Sequence, residues 1–306
     1  MIRLALGELR ARPLRLLATL LSVALGAAFV VGSLVLVDSV RAAFDGRHVD
    51  GGRNAAGVVR PTGGLEAQRY ARVPARVARE VAATPGVAAA VPVYQETVLL
   101  TAPGGERLTR RGGGSRLDQA GLYLGNWIDE PRLRDQTLRA GRPPATAAEA
   151  AVHRQTAAAY GIALGDRVRF VLPHSAFEAT VTGVFDYGGA DPAPNAPLFV
   201  PAVLVTTPAA AEHLGDPVEL RLSAASGVTA ERLRAAVGRT LGDGGHDGDH
   251  DGDHEVIPAE QAARDIFELI WRNNLGPLAT GMLVFSGITV LAAGLIVFTT
   301  FAVTVA

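Results

Sequence analysis

The sequence predicts an α+β fold: an external domain with a split βαβ (ferredoxin-like) layer and a small β-rich subdomain, flanked by two transmembrane α-helices. Three observations predict it. Uncharged apolar runs lie at residues 16–37 and 275–306. Strand–helix–strand patterns follow the first run and precede the second. Apolar–polar alternation of the strand type fills part of the stretch between them.

A helix rises about 1.5 Å per residue and a bilayer core is about 30 Å thick, so roughly 20 apolar residues span it. The first run has 22 residues, longer than a signal peptide's apolar core, and Val37-Asp38-Ser39-Val40 offers no A-x-A-like cleavage site. It reads as an uncleaved span. Arg3, Arg10, Arg12 and Arg15 precede it against one acid, Glu8. The positive-inside bias therefore puts the N-terminus in the cytoplasm and residues 38–274 outside the plasma membrane. Residues 1–15 read as a cytoplasmic juxtamembrane helix, an anchor lying at the lipid interface or, as the alternative, a docking helix for a cytoplasmic partner, with Pro13 breaking its path into the span. Trp271 and Arg272 suit the interface before the second span. Small residues on the first span (Ser22, Gly26, Ala28, Gly32) and the second (Gly281, Ser286, Gly287, Gly294) predict close helix packing, between the spans or with a second copy. Neither span holds an ionisable residue, so no intramembrane proton or ion path is expected. The second run carries no charged stop, so the sequence is expected to be a fragment or one half of a split gene.

Composition narrows the function classes. Net charge is −1, which recruits no nucleic acid by a global field. The chain has no Cys, which removes disulfides, thiolate metal sites and cysteine nucleophiles. All 29 basic residues are Arg, so a Walker A lysine is impossible and no nucleotide hydrolysis by that route is expected.

Along the external segment, 56–60 reads as a short strand between glycine-rich loops. Residues 65–83 read as helical with a break or new first turn at Pro74, and Val77 and Val81 fall on one side. Residues 87–101 read as extended, turning at Ala102-Pro103-Gly104-Gly105. In the middle, 168–172 and 177–182 alternate about Pro173-His174-Ser175 and predict a hairpin. Residues 198–200 and 203–205 are further strand candidates and 208–214 a short helix, giving a β-rich insert at about 140–206. Near the far end, 218–222 alternates apolar and charged residues as a half-buried strand does, Thr229 caps a helix over 230–241, and 255–258 closes the layer.

Several of these stretches, in this order, resemble the MacB/FtsX/LolC-type ABC transporter permeases. They are Leu138-Arg139-Ala140-Gly141-Arg142-Pro143-Pro144, Glu149-Ala150-Ala151-Val152, Leu164-Gly165-Asp166-Arg167-Val168 and Val181-Thr182-Gly183-Val184-Phe185. The layout of basic start, span, external domain and second span matches as well. Physically these residues specify the fold: Gly141 allows backbone barred to other residues, Gly165-Asp166 makes a turn, and Gly183 marks a bulge. The resemblance implies a permease subunit that couples a separate cytoplasmic ABC ATPase to the external domain. Its implied partners are that ATPase, a second permease copy or homologous subunit, and the lipid bilayer. The family carries two further spans and a cytoplasmic loop that this sequence lacks. The alternative is a two-span sensor or regulator with an external binding domain and no transport.

The most unusual local stretch is His246-Asp247-Gly248-Asp249-His250-Asp251-Gly252-Asp253-His254. His246, Asp249, His250, Asp253 and His254 are candidate ligands for Zn²⁺, Ni²⁺ or Ca²⁺. The spacing fits neither an EF-hand nor the nine-residue Ca²⁺ repeat, and such a tandem repeat reads as a solvated loop. No metal or cofactor is therefore expected. His48, His153, His174 and His213 read as surface or turn residues, and Asp129, Glu130, Asp186 and Asp191 as loop acids without acid–base spacing. No catalytic constellation emerges, and no enzyme activity is expected.

Overall fold

The computed structural model describes residues 55–63, 71–102, 105, 106, 108, 122–187, 202–243 and 254–270. It also describes parts of both apolar runs: 24, 27–32, 34, 35, 38 and 39, then 280, 281, 284, 285, 287–289, 291, 292, 294, 295, 298 and 299. The chain divides into two compact units, one of Met1–Phe44 with Phe267–Ala306 and one of Asp45–Ile266.

In the first unit, the described residues of both apolar runs are helical. Among the described residues no helix is long and apolar enough to cross a membrane. Most of the expected spans, 16–37 and 275–306, lies outside them. The Phe29 ring meets Phe285 edge-on with centroids 5.3 Å apart, which joins the two runs. Of the glycines expected to allow close packing, between the spans or with a second copy, Gly32, Gly281, Gly287 and Gly294 stand open, since a Cβ added there would meet nothing within 4 Å, and Gly26 lies outside the described residues. Val31, Leu34, Val35, Val284, Phe285, Ile288, Leu291, Leu295 and Phe298 are all exposed.

The second unit carries two sheets. The smaller has four antiparallel strands: β1 (Gly57–Pro61), β2 (Val87–Val93), β10 (Glu219–Ala224) and β11 (His254–Ile257), in the order β11-β1-β10-β2. Helices α1 (Ala75–Ala83) and α4 (Ala230–Asp243) cover one face. Val59, Leu220 and Leu222 from the strands pack there against Val77, Val81, Leu233 and Val237. Residues 65–70 are outside the described set; the described helix starts only after Pro74, whose φ of −59° and ψ of 150° end the extended approach. The Thr229 hydroxyl accepts from the Arg232 N–H at 3.3 Å, as an N-cap does.

The larger sheet has seven strands: β3 (Gln95–Thr101), β4 (Leu122–Asn126), β5 (Gln136–Gly141), β6 (Glu149–His153), β7 (Arg167–Val171), β8 (Ala176–Tyr187) and β9 (Val203–Val205). Its order is β5-β8-β6-β9-β4-β3-β7, and β7 also pairs with β8, so six strands close into a barrel with β5 alongside. Val98, Leu100, Leu124, Val152, Phe170 and Val181 fill the barrel core. Two short helices leave it: α2 (Arg154–Tyr160) connects β6 to β7 within the barrel, and α3 (Thr207–Leu214) leads from β9 to β10 of the small sheet. The expected hairpin is β7–β8. The insert, however, starts at Gln95 and not near 140, because β3 and β4 belong to the barrel. The run 87–101 is two strands, one in each sheet.

Gly183 does mark a bulge. Ala150 pairs with Val181 but Ala151 with Gly183, so Thr182 is an extra residue. The bulge turns the strand over: Ala179 and Val181 fill the barrel core, whereas Phe185 packs with Trp127, Ala151 and Leu204 in a separate cluster. Gly141 has φ of +72°, and a Cβ there would run into the Thr182 carbonyl oxygen. A Cβ on Gly183 would run into the Arg142 carbonyl oxygen. Beside them, Glu149 accepts from Arg142 Nη1 at 2.7 Å and from the Ala145 N–H at 2.9 Å. The Arg142 hydrogen bonds first, and then the Ala145 N–H, hold the Glu149 carboxyl down at about 2.

This corner can be tested in two ways. Gly141→Ala adds left-handed strain and a backbone collision, and Gly183→Ala a collision alone; each is expected to cost roughly 2–4 kcal/mol in urea unfolding. A cost below about 1 kcal/mol at both positions would contradict the packing described. Because the Glu149 pKa is lower folded than unfolded, its contribution is complete above the unfolded value of 4.5 and is lost as pH falls through about 2. Glu149→Gln is therefore expected to be less stable than wild type at neutral pH, with the gap closing between about pH 5 and pH 2. A gap in urea midpoints that stays constant over that range would refute the assignment.

Candidate functional site: the junction between the two sheets

The chain leaves the small sheet for the barrel between Val93 and Gln95, and the crossing is held by one side chain. Asn126, buried at the end of β4, accepts from the Tyr94 N–H at 2.9 Å. Its Nδ2 donates to the Pro92 carbonyl at 3.0 Å and to Thr207 Oγ1 at 3.1 Å. Both backbone groups freed by the change of sheet are thus satisfied.

The segment from Trp127 to Asp135 then covers the face of the small sheet opposite its helices. Ile128 and Leu133 pack there on Val58 and Ile257. Arg134 pins the segment, donating from Nε to the Ile128 carbonyl at 2.8 Å, with its guanidinium 5.8 Å from the centre of the Trp127 ring. Two arginines rise from the same face. Arg221 of β10 pairs with Asp135 at 2.8 Å and with Glu219 at 3.1 Å. Burial alone would pull its pKa down; Asp135 and Glu219 reverse this and hold it above the ordinary value. Arg60 of β1 pairs from Nε with Glu255 at 2.9 Å and from Nη2 with Asp265. The alternation of 218–222 had implied a solvent face for Arg221; Asp135 closes over it instead.

A second cluster lies where β5, β6 and β8 end. Asp186 is buried and receives Arg139 Nε and Arg154 Nε, each at 3.0 Å. His153 Nε2 stands 3.5 Å from its other oxygen. The His153 ring is stacked on Tyr187 at 5.9 Å and meets Phe185 edge-on at 5.5 Å. Burial first, and then Asp135, raise the Tyr187 phenol well above its usual range, with Arg221 partly opposing. So Asp186 is not a loop acid, and His153 is not a surface residue: it is buried, and its Nδ1 accepts the Gln155 N–H at 3.4 Å to cap α2. His213 is stacked on Phe177 at 4.1 Å, and His174 stays exposed in its turn.

Of the candidate metal ligands, His246, Asp249, His250 and Asp253 lie outside the described residues. His254 opens β11 opposite Pro61, with Nε2 3.3 Å from the Arg72 carbonyl. Among the described residues no group of three or more His, Asp or Glu could hold a metal ion. What the junction offers is mechanical: buried, paired polar groups that fix one sheet on the other. No local signal in the sequence marks it, because each pairing joins residues far apart along the chain.

Asn126→Ala would strand the Tyr94 N–H and the Pro92 carbonyl. It is expected to destabilise the domain by roughly 2–5 kcal/mol in urea unfolding, and a loss below about 1 kcal/mol would show that water replaces the side chain.

Residues 16–240 match the family described as MacB-like periplasmic core domain. Among solved structures, the periplasmic region of MacB from Actinobacillus actinomycetemcomitans aligns at 11% identity and a TM-score of 0.47, covering 70% of this chain and 95% of that one. The extracellular domain of the noncanonic ABC-type transporter YknZ from Gram-positive bacteria aligns at 13% identity and a TM-score of 0.42, covering 66% of this chain and 98% of that one. No curated protein matches the chain. With the greater part of its length inside the family match, the chain belongs to the MacB-like periplasmic core domain family.

Proposed function

We propose that this chain is the transmembrane subunit of an ABC transporter of the MacB/FtsX type, with residues 38–274 as its extracytoplasmic domain and 16–37 and 275–306 as membrane helices. The family match over residues 16–240 carries the reading. The two uncharged apolar runs and the arginines before the first support its topology. The strand order β11-β1-β10-β2, with both helices on one face, supports the split βαβ, ferredoxin-like reading of the small sheet. Without any Lys the chain supplies no Walker A, so ATP hydrolysis falls to a separate cytoplasmic subunit, with a second copy or homologous subunit completing the membrane part.

The lack of cysteine makes the topology directly testable. Two single variants, Ala5→Cys and Thr97→Cys, each place one thiol in an otherwise unchanged chain. A membrane-impermeant maleimide is expected to label the Thr97→Cys chain in intact cells and the Ala5→Cys chain only after permeabilisation. Labelling in the reverse order overturns the topology. Affinity purification from native membranes is expected to retrieve an ABC ATPase. Its repeated absence, with the topology intact, favours a two-span sensor or regulator without transport.

A further inference from the structure

The face of the small sheet opposite its helices holds a buried arginine whose partners sit on separate elements. The Arg60 side chain is 4% exposed, while Glu255 and Asp265 are 33% and 29% exposed. Glu255 lies directly across the β1–β11 ladder from Arg60 and is held by backbone pairing. Asp265 belongs to helix α5 (Ala259–Ile270), which sequence reading missed and which ends just before the second apolar run. Among the described residues, α5 touches this face through two small buried side chains, Ala259 and Ala262, and Asp265 continues the same stripe at i, i+3, i+6. Two alanines bury little apolar area, and the Arg60–Asp265 ion pair adds a polar attachment to the same face.

A buried charge cannot be left without a partner. Here it need not be: if Asp265 leaves, Glu255 still compensates Arg60. Water already reaches both carboxylates, which lowers the barrier to parting. Among the described residues Arg60 Nη1 meets no hydrogen-bond partner, so the guanidinium is not locked on all sides. We propose that Arg60 is a releasable clamp for α5: Glu255 holds the guanidinium throughout, Asp265 engages it when the helix is seated, and the first turns of α5 can leave the sheet while the domain stays folded. On the permease reading, α5 carries the chain from the domain towards its second span; the clamp itself is independent of that reading.

Hydrogen exchange on the full chain in nanodiscs tests it. Asp265→Asn is expected to speed exchange of the α5 amides about tenfold, with β10 and the barrel strands staying within about twofold of wild type. Glu255→Gln is expected to loosen β11 and leave α5 seated, since Asp265 then holds Arg60 alone. Arg60→Met is expected to release both. The proposal is overturned if Asp265→Asn leaves α5 unchanged, or if it speeds α5, β10 and the barrel alike, which marks a loss of global stability only. Both carboxamide variants replace partly exposed groups with isosteres, so each can be read even if Arg60→Met fails to fold.

Discussion

Backbone hydrogen bonding cannot lapse where the chain passes from one sheet to the next inside a domain. At Tyr94 the ladder of the small sheet has ended and that of the barrel has not begun, and the carboxamide of Asn126 bridges the gap, accepting from the Tyr94 N–H and donating to the Pro92 carbonyl. A carboxamide is suited to this task because it offers both functions on one short, rigid group. The same side chain reaches Thr207 at the start of α3, so strand, crossing and helix share one fixed point. Barrel and small sheet keep their mutual placement through it and through the segment that follows it, which runs straight on to cover the second face of the small sheet.

That second face is joined through charge. Arg60 and Arg221 rise from neighbouring strands into a layer that also contains Val58, Ile257, Ile128 and Leu133. An apolar layer alone would be non-directional and tolerant of sliding. Each arginine instead demands its carboxylates at fixed positions, and a misplaced partner would leave a buried charge bare. The two sites differ in what they hold. Arg221 is tied to Asp135 from the covering segment, within the domain's interior, whereas one arm of Arg60 goes to the helix that leads out of the domain. The junction is thus built with one permanent and one detachable connection.

The parts of the fold legible in sequence were those governed by local periodicity. Val77 with Val81, Leu233 with Val237, and the alternation on either side of Pro173 each indicated the correct element and the correct buried face. Gly141 and Gly183 were legible as backbone positions, and the structure adds the carbonyls of Thr182 and Arg142 that exclude a side chain. The parts not legible depended on distant chain. The change of sheet at Tyr94 leaves no local mark, since extended residues look alike in either sheet. Asp186 looked like a loop acid and His153 like a surface residue because their partners, Arg139 and Arg154 for the one and Phe185 and Tyr187 for the other, are brought to them only by the folded chain. The glycines of the apolar runs pointed to close helix approach, yet the described contact between the runs is the Phe29–Phe285 pair.

By itself, then, the sequence determined the strongly periodic elements (α1, α4 and the β7–β8 hairpin) with their buried faces, the apolar runs and the exclusion of lysine- and cysteine-dependent chemistry, because these follow from residue identity and short-range period. Only the tertiary structure decided which sheet each strand joined, where the insert began, and which charged residues were buried. Pairing and burial are set by neighbours far along the chain: Asn126 acts on Tyr94, Asp135 on Arg221, and Asp265 on Arg60. No local pattern encodes such contacts, so the junction that ties the domain together was visible only once the chain had folded.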